Sequence, residues 1–292
     1  MPHLGLVCVT HGPRCRFRTI TRTQFLKLVP AAQQDALHEL YWSNLQRLNW
    51  TLSFCASRGI RLYRATSSLF PMSDEPLGRE VLDSMGANLS AVGRRAQHLG
   101  IRVVMHPDQF VVLNSSSRAV ARTSARILEK HAMWFDLLGL PRTPWSALII
   151  HGGKSGRAQQ LERAIAQLPE PVRSRLCLEN DEYAFSAEQV LQICRRSGVP
   201  MIFDNLHHAI REQLQTYDDP SFERYTRLAR ETWPDPRWQI VHLSNGRGAF
   251  LDRNHADFIT SMPDAFRRVQ WIEVEAKAKE LAIADLTLKM CC

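Results

Sequence analysis

Long apolar runs are missing from this 292-residue chain, in which no stretch approaches the ~18 residues of a spanning helix. The opening MPHLGLVCVTHGPRCR turns polar too soon for a signal peptide. Paired cysteines are absent too: Cys8, Cys15, Cys55, Cys177, Cys194, Cys291 and Cys292 form no CxxC motif and no disulfide framework. A reducing, cytoplasmic location is the expectation, without a membrane. Linker-like composition, low-complexity tracts and short repeats are also lacking, so one compact domain over residues 1–292 is expected. Lysine is scarce, at six against 31 arginines, yet the formal net charge is +8. That balance favours a polyanionic partner, although an arginine bias alone would also produce it.

What is present is an alternation of short apolar runs with longer segments of helical period, the pattern of repeated βα units around a parallel sheet. Eight runs read as strands: Leu4–Val9, Ile60–Arg64, Ile101–His106, Ala147–His151, Leu176–Glu179, Met201–Asp204, Gln239–His242 and Trp271–Glu275. Helices are expected over Ala36–Ser57, Asn88–Leu99, Ala119–Leu138, Ala187–Arg196 and Pro220–Thr232, among others. Gly100, Gly139 and Gly198 lie where a helix ends in a left-handed residue. Pro71–Arg79 and Asn245–Asn254 read as loops. Eight units in a chain of this length predict an α/β fold, a (β/α)8 or TIM barrel, whose active sites sit at the C-terminal strand ends.

The runs end in chemistry. The third ends in His106, the fourth in His151, the fifth in Glu179, the sixth in Asp204 with His207 and His208 just beyond, the seventh in His242 and the eighth in Glu275. Buried strands seldom end this way by chance, because desolvating such groups without partners costs several kcal/mol. A barrel gathers these ends at one mouth, where the carboxylates would repel one another unless cations lay between them. Imidazole and carboxylate donors without thiolates suit Mn2+, Zn2+ or Fe2+, and so many donors imply two or three ions. Paired ions hold a phosphate and activate water, which makes phosphodiester hydrolysis the expected reaction. His208 points elsewhere if His207 is a ligand, and is expected to support the ligands from outside. Individually the residues have plainer readings: a strand-end histidine is often just hydrogen-bonded, and Asp204 or Asn180 with Asp181 could cap a helix.

LGLVC (Leu4–Cys8), YRATSSLFP (Tyr63–Pro71), MHPDQFVVLNS (Met105–Ser115), LIIHGGKSG (Leu148–Gly156), LCLEND (Leu176–Asp181), IFDNLHH (Ile202–His208), VHLSNG (Val241–Gly246) and VEAKAKE (Val274–Glu280) together resemble the UV damage endonuclease family. That family is related in fold to endonuclease IV and xylose isomerase. The resemblance implies metal ligands at His106, His151, Glu179, Asp204, His207, His242, His255 and Glu275, with His255 added to the strand-end set. It implies two or three divalent ions, Mn2+ first among them, with Mg2+, Zn2+ or Co2+ as alternatives. Glu179, His242, Glu275 and Lys277 are the expected catalytic groups. Gln109 and Phe110 match a probing pair that enters the duplex at a lesion. Arg64, Arg16 and Arg18 are expected to contact DNA.

Three positions depart from the family pattern. A lysine expected two residues before the strand-seven histidine is Ile240, a histidine seen in some members after strand two is Ser68, and a tyrosine found in some members near the N-terminus is Leu6. The implied partner is damaged double-stranded DNA, with no obligate protein partner and association with the nucleoid through DNA. The implied reaction is incision 5′ of the photoproduct, leaving a 3′-hydroxyl and a 5′-phosphate. Two other readings stay open: a metal-dependent sugar isomerase or epimerase on the same barrel, and a barrel that binds damage without cutting.

Overall fold

Alternation along the strands decides what the barrel encloses. The computed structural model describes residues 1–12, 15–107 and 110–291, within which eight parallel strands close in sequence order from β1 to β8. They are β1 (His3–Val7), β2 (Leu62–Ala65), β3 (Arg102–Met105), β4 (Leu148–His151), β5 (Leu176–Glu179), β6 (Met201–Asp204), β7 (Ile240–Leu243) and β8 (Trp271–Val274). Each expected run is therefore a strand, within one or two residues at either end. The barrel is closed by β1 pairing with both β2 and β8, which places Gly5 beside Leu62 and Glu273.

One parity of each strand faces inward. Leu62, Val104, Ile149, Cys177, Ile202, Ile240 and Trp271 pack on one another in a buried cluster inside the barrel. Their neighbours, such as Tyr63, Val103, Ile150, Leu178, Phe203, Val241 and Ile272, pack outward against the helices. Two residues further along the inward parity come Arg64, His106, His151, Glu179, Asp204, His242 and Glu273. The period of two thus lifts these polar groups to the C-terminal end while the apolar layer lies beneath them. Ile240 belongs to that apolar layer, fully buried, two residues below His242.

The opposite end is closed by Arg102. Its Nε donates to Trp145 O at 2.7 Å, Nη1 to Trp238 O at 2.8 Å and Nη2 to Pro144 O at 2.9 Å. The guanidinium carbon lies 4.7 Å from the Trp145 ring centre and 5.3 Å from that of Trp271. Burial lowers the Arg102 pKa to about 9, so it remains a cation at neutral pH.

The outer ring runs α1 (Arg22–Phe25), α2 (Pro30–Ser57), α3 (Pro76–Ser84), α4 (Gly86–His98), α5 (Arg118–Leu137), α6 (Ala158–Gln167), α7 (Glu170–Arg173), α8 (Ala187–Ser197), α9 (Asn205–Glu212), α10 (Pro220–Arg230) and α11 (Glu280–Cys291). Helix α2 begins six residues before the expected Ala36, because Pro30 suits a first turn and apolar periodicity starts only at Leu37. The supposed loop Pro71–Arg79 runs into α3, which Pro76 initiates in the same way. Ser186 and Gln189 form a capping box that starts α8, so Asn180 and Asp181 are left in the loop above β5. Gly100, Gly139 and Gly198 take φ of 63°, 70° and 71°, as expected past helix ends. Among the described residues no helix is long and apolar enough to cross a membrane.

Candidate metal centre

Glu179 is the hub. It ends β5, is almost wholly buried, and each of its oxygens faces two histidines. Oε2 lies 3.0 Å from His106 Nε2 and 4.0 Å from His151 Nε2, while Oε1 lies 2.8 Å from His242 Nδ1 and 3.9 Å from His207 Nε2. Glu275 approaches from β8, with Oε1 at 3.5 Å from His242 Nδ1 and Oε2 at 3.7 Å from His255 Nδ1. Three groups bring donor atoms close enough to share a cation: His106, His151 and Glu179; Glu179, Asp204 and His207; His242, Glu273 and Glu275. All eight expected ligands therefore converge on one rim.

Asp204 divides its carboxylate between fold and site. Oδ1 accepts the His207 backbone N–H at 2.7 Å and caps α9, whereas the buried Oδ2 has no hydrogen-bond partner. Asn180 clamps the Asp204 backbone on both sides, donating to its O at 3.1 Å and accepting from its N at 3.0 Å. A buried oxygen left with free lone pairs is costly unless a cation meets it. The donor chemistry of the rim thus fits hard or borderline divalent ions.

The charges point the same way. Burial pushes the Asp204 carboxyl up to about 6, despite the opposing pull of His207. Burial also lowers His151 to about 4. His207 is desolvated as well, yet Asp204 and Glu182 raise it to about 10. Burial would raise Glu179, but His242 and His151 hold it well below the usual carboxylate range. Glu275 is likewise desolvated and held low, by Arg64 and His242. Arg64 and the imidazoles of His207 and His242 thus face these carboxylates with positive charge.

His255 reaches the rim because Asn245 pins its loop. Asn245 Oδ1 accepts from Thr260 N at 2.7 Å, its Nδ2 donates to Ser261 O at 2.9 Å, and its carbonyl accepts from Ala256 N at 2.8 Å. Gly246 allows the return, since a Cβ there would lie 2.1 Å from Ala249 O.

Above the cluster lies a cavity of about 440 Å3 lined by Arg64, His106, Phe110, His151, Glu179, His207, His255 and Glu275. Phe110 is 73% exposed at its mouth, and Gln109 lies outside the described residues. Lys277 lines an adjoining cavity of about 310 Å3 together with Arg64, His255 and Glu275.

Other expected residues stand elsewhere. Arg18 pairs with Glu39 on α2 at 2.8 Å and lines a separate surface hollow with Trp42 and Trp50. Arg16 is exposed and borders neither cavity. Arg64 is only 8% exposed, and its Nη1 faces Glu275 Oε1 at 2.5 Å and Glu273 Oε2 at 2.9 Å, so it approaches the cavity from below. His208 does not support the ligands: it turns under α10, 2.8 Å from Ser221 Oγ, and packs between Phe203, Phe222 and Tyr225. Two carboxylates escaped the sequence reading. Glu182, in the loop above β5, lies 2.6 Å from His207 Nδ1, and Glu273 lies 3.1 Å from His242 Nε2. Only Glu273 carried a signal, its inward parity two residues before Glu275.

Comparison with known proteins agrees with this geometry. The UV-endonuclease UvdE family model matches residues 2–291. The chain is 52% identical over 287 residues to the UV DNA damage endonuclease of Nostoc sp., covering 98% of this chain and 89% of that one. It is 47% identical over 291 residues to the UV DNA damage endonuclease of Deinococcus radiodurans, covering 99% and 95%. The crystal structure of SacUVDE superposes with a TM-score of 0.84 at 28% identity, covering 100% of this chain and 99% of that one. A match spanning nearly every residue, joined to the convergence on Glu179, places this chain in the UV-endonuclease UvdE family.

Proposed function

We propose that this protein is a divalent-metal-dependent endonuclease that incises UV-damaged duplex DNA immediately 5′ of the lesion, leaving a 3′-hydroxyl and a 5′-phosphate. The observation that carries the reading is Glu179, which presents one oxygen to His106 and His151 and the other to His242 and His207. His106 and His151 would share one ion with Glu179. Asp204, His207, His242, His255 and Glu275 would complete the remaining sites, for two or three ions in all, Mn2+ foremost. Bound there, such ions supply a water of lowered pKa and charge stabilisation for an in-line displacement at phosphorus.

The chain's own residues do the rest. Phe110, exposed at the mouth, offers a stacking face that replaces stacking lost when the duplex opens. A lesion is already poorly stacked, so extruding it costs less than extruding a normal pair, and this difference selects damage without reading sequence. Lys277, in the adjoining cavity, would offset charge on the scissile phosphate. The excess of 37 Lys and Arg over 29 Asp and Glu strengthens attraction to the backbone, so binding should weaken with salt.

The test is to incubate the protein and Mn2+ with supercoiled plasmid, irradiated and not. Nicking confined to irradiated plasmid, abolished by chelator and mapping 5′ of the photoproduct, is expected. Intact plasmid under every divalent ion would overturn the reading: lesion binding without nicking would point to a damage-binding barrel, and turnover of a ketose or aldose to an isomerase.

A further inference from the structure

Glu273, one of two carboxylates outside the expected ligands, belongs to the candidate group with His242 and Glu275 yet is given no ion in the proposed set. Glu273 is completely buried on β8, beside His242 in the strand register. Its Oε2 sits 3.1 Å from His242 Nε2 and 2.9 Å from Arg64 Nη1, yet neither oxygen has a well-aligned hydrogen bond. Both contacts lie within hydrogen-bonding distance. Burying a carboxylate in this way is costly, and a well-packed apolar residue would be cheaper if stability alone were served.

His242 gives the reason. Its Nδ1 faces Glu179 Oε1 and Glu275 Oε1, two carboxylates of the rim, so a cation shared with them needs the Nδ1 lone pair. Its one remaining proton must then sit on Nε2, which is buried and needs an acceptor. His106 meets the same demand with its Nδ1 placed 2.9 Å from Pro107 O while Nε2 faces Glu179.

Resting on the metal-dependent reading, we propose that Glu273 is a positioning residue for His242: it holds the Nε2 proton, so that Nδ1 presents its lone pair to the cation shared with Glu179 and Glu275. Arg64 balances the charge of Glu273 and steers Glu275 from the same side. With Ile240 apolar in the layer below, Arg64 is a cation held beneath this rim. Outer acceptors of this kind are worth about 10- to 100-fold in metal affinity.

The experiment titrates Mn2+ into the full chain, follows free Mn2+ by electron paramagnetic resonance, and records the visible spectrum of the Co2+ form. Glu273→Gln should weaken one class of site about 10- to 100-fold and shift the Co2+ bands. Glu273→Asp should recover part of the affinity. Glu273→Gln with Arg64→Met removes both charges and guards against an unpaired buried arginine; it should fold and still bind weakly. Wild-type affinity and an unchanged Co2+ spectrum in the foldable variants would overturn the role of Glu273. A wild-type chain that binds no Mn2+ would instead sink the metal reading, and one that binds Mn2+ but spares irradiated DNA would sink the nuclease reading alone.

Discussion

The two ends of the barrel interior handle buried charge in opposite ways. At the floor, Arg102 donates to three backbone carbonyls and lies among tryptophan rings, so its charge is fully accommodated by the fold. At the rim, Glu179, Asp204, Glu273 and Glu275 crowd together with imidazoles, and the Asp204 Oδ2, the Glu273 oxygens and His151 Nδ1 lack aligned partners. Buried polar groups are normally satisfied, and clustered exceptions mark places where something other than stability was selected. The floor satisfies its charge within the fold, whereas the rim leaves groups that could hold a metal ion.

The sharpest way to break that contrast is Glu179→Gln, which leaves the shape of the hub but removes the charge shared by both corners. Nicking of irradiated plasmid at saturating Mn2+ should fall by roughly three orders of magnitude or more, with the fold intact by circular dichroism. A variant within tenfold of wild type would remove Glu179 from the centre of the chemistry. Arg102→Met, at the floor, should do the reverse. Stranding three carbonyls should cost about 3 kcal/mol in urea unfolding, with Mn2+ affinity unchanged. If metal affinity moved with stability, the two ends would not be independent.

Metal itself should sharpen the comparison next. Mn2+ at about 100 times its Kd adds about 2.7 kcal/mol per site, so chelation should lower Tm by several degrees. The sign of its pH dependence follows from two raised pKa values. His207 moves from 6.5 to about 10, so its stabilisation of the metal-free fold is present below 6.5 and lost through 10. Asp204 moves from 3.8 to about 6, so protonation favours that fold below 3.8 and the gain is lost through 6. Ions bound through both side chains would displace these protons, so the Tm increment from Mn2+ should widen as pH rises from 6 to 10. An increment that narrows over this span would contradict the assignment. Phe110→Ala should have the smallest effect. Loss of stacking should weaken binding of damaged duplex about tenfold, with Tm and Mn2+ affinity unchanged. Equal losses on damaged and undamaged DNA would deny Phe110 a role in sensing lesions.

Much of this was legible in the chain because strand parity and barrel closure are local rules with a global consequence. His106, His151, Glu179, Asp204, His242 and Glu275 could be placed at one rim from run endings alone. His255 could not, since its position depends on Asn245 pinning a loop with no periodicity, and only family resemblance indicated it. Glu273 was legible in principle from its spacing to Glu275, but attention to terminal residues passed over it. His208 was misassigned because its neighbour His207 turns inward, and a helix start sends adjacent side chains in different directions. Glu182 pairs with His207 through loop geometry, for which the sequence has no marker.

Asp204 carries a consequence for how occupancy is felt beyond the rim. One of its oxygens is committed to the first turn of α9 while the other has no hydrogen-bond partner, so an ion held as proposed would meet the free one. An ion drawing on that carboxylate should be felt at the His207 amide, whose hydrogen-exchange rate would then gauge the loaded state. One side chain both caps α9 and turns a free oxygen to the candidate ion position, so replacing Asp204 should disturb the two together.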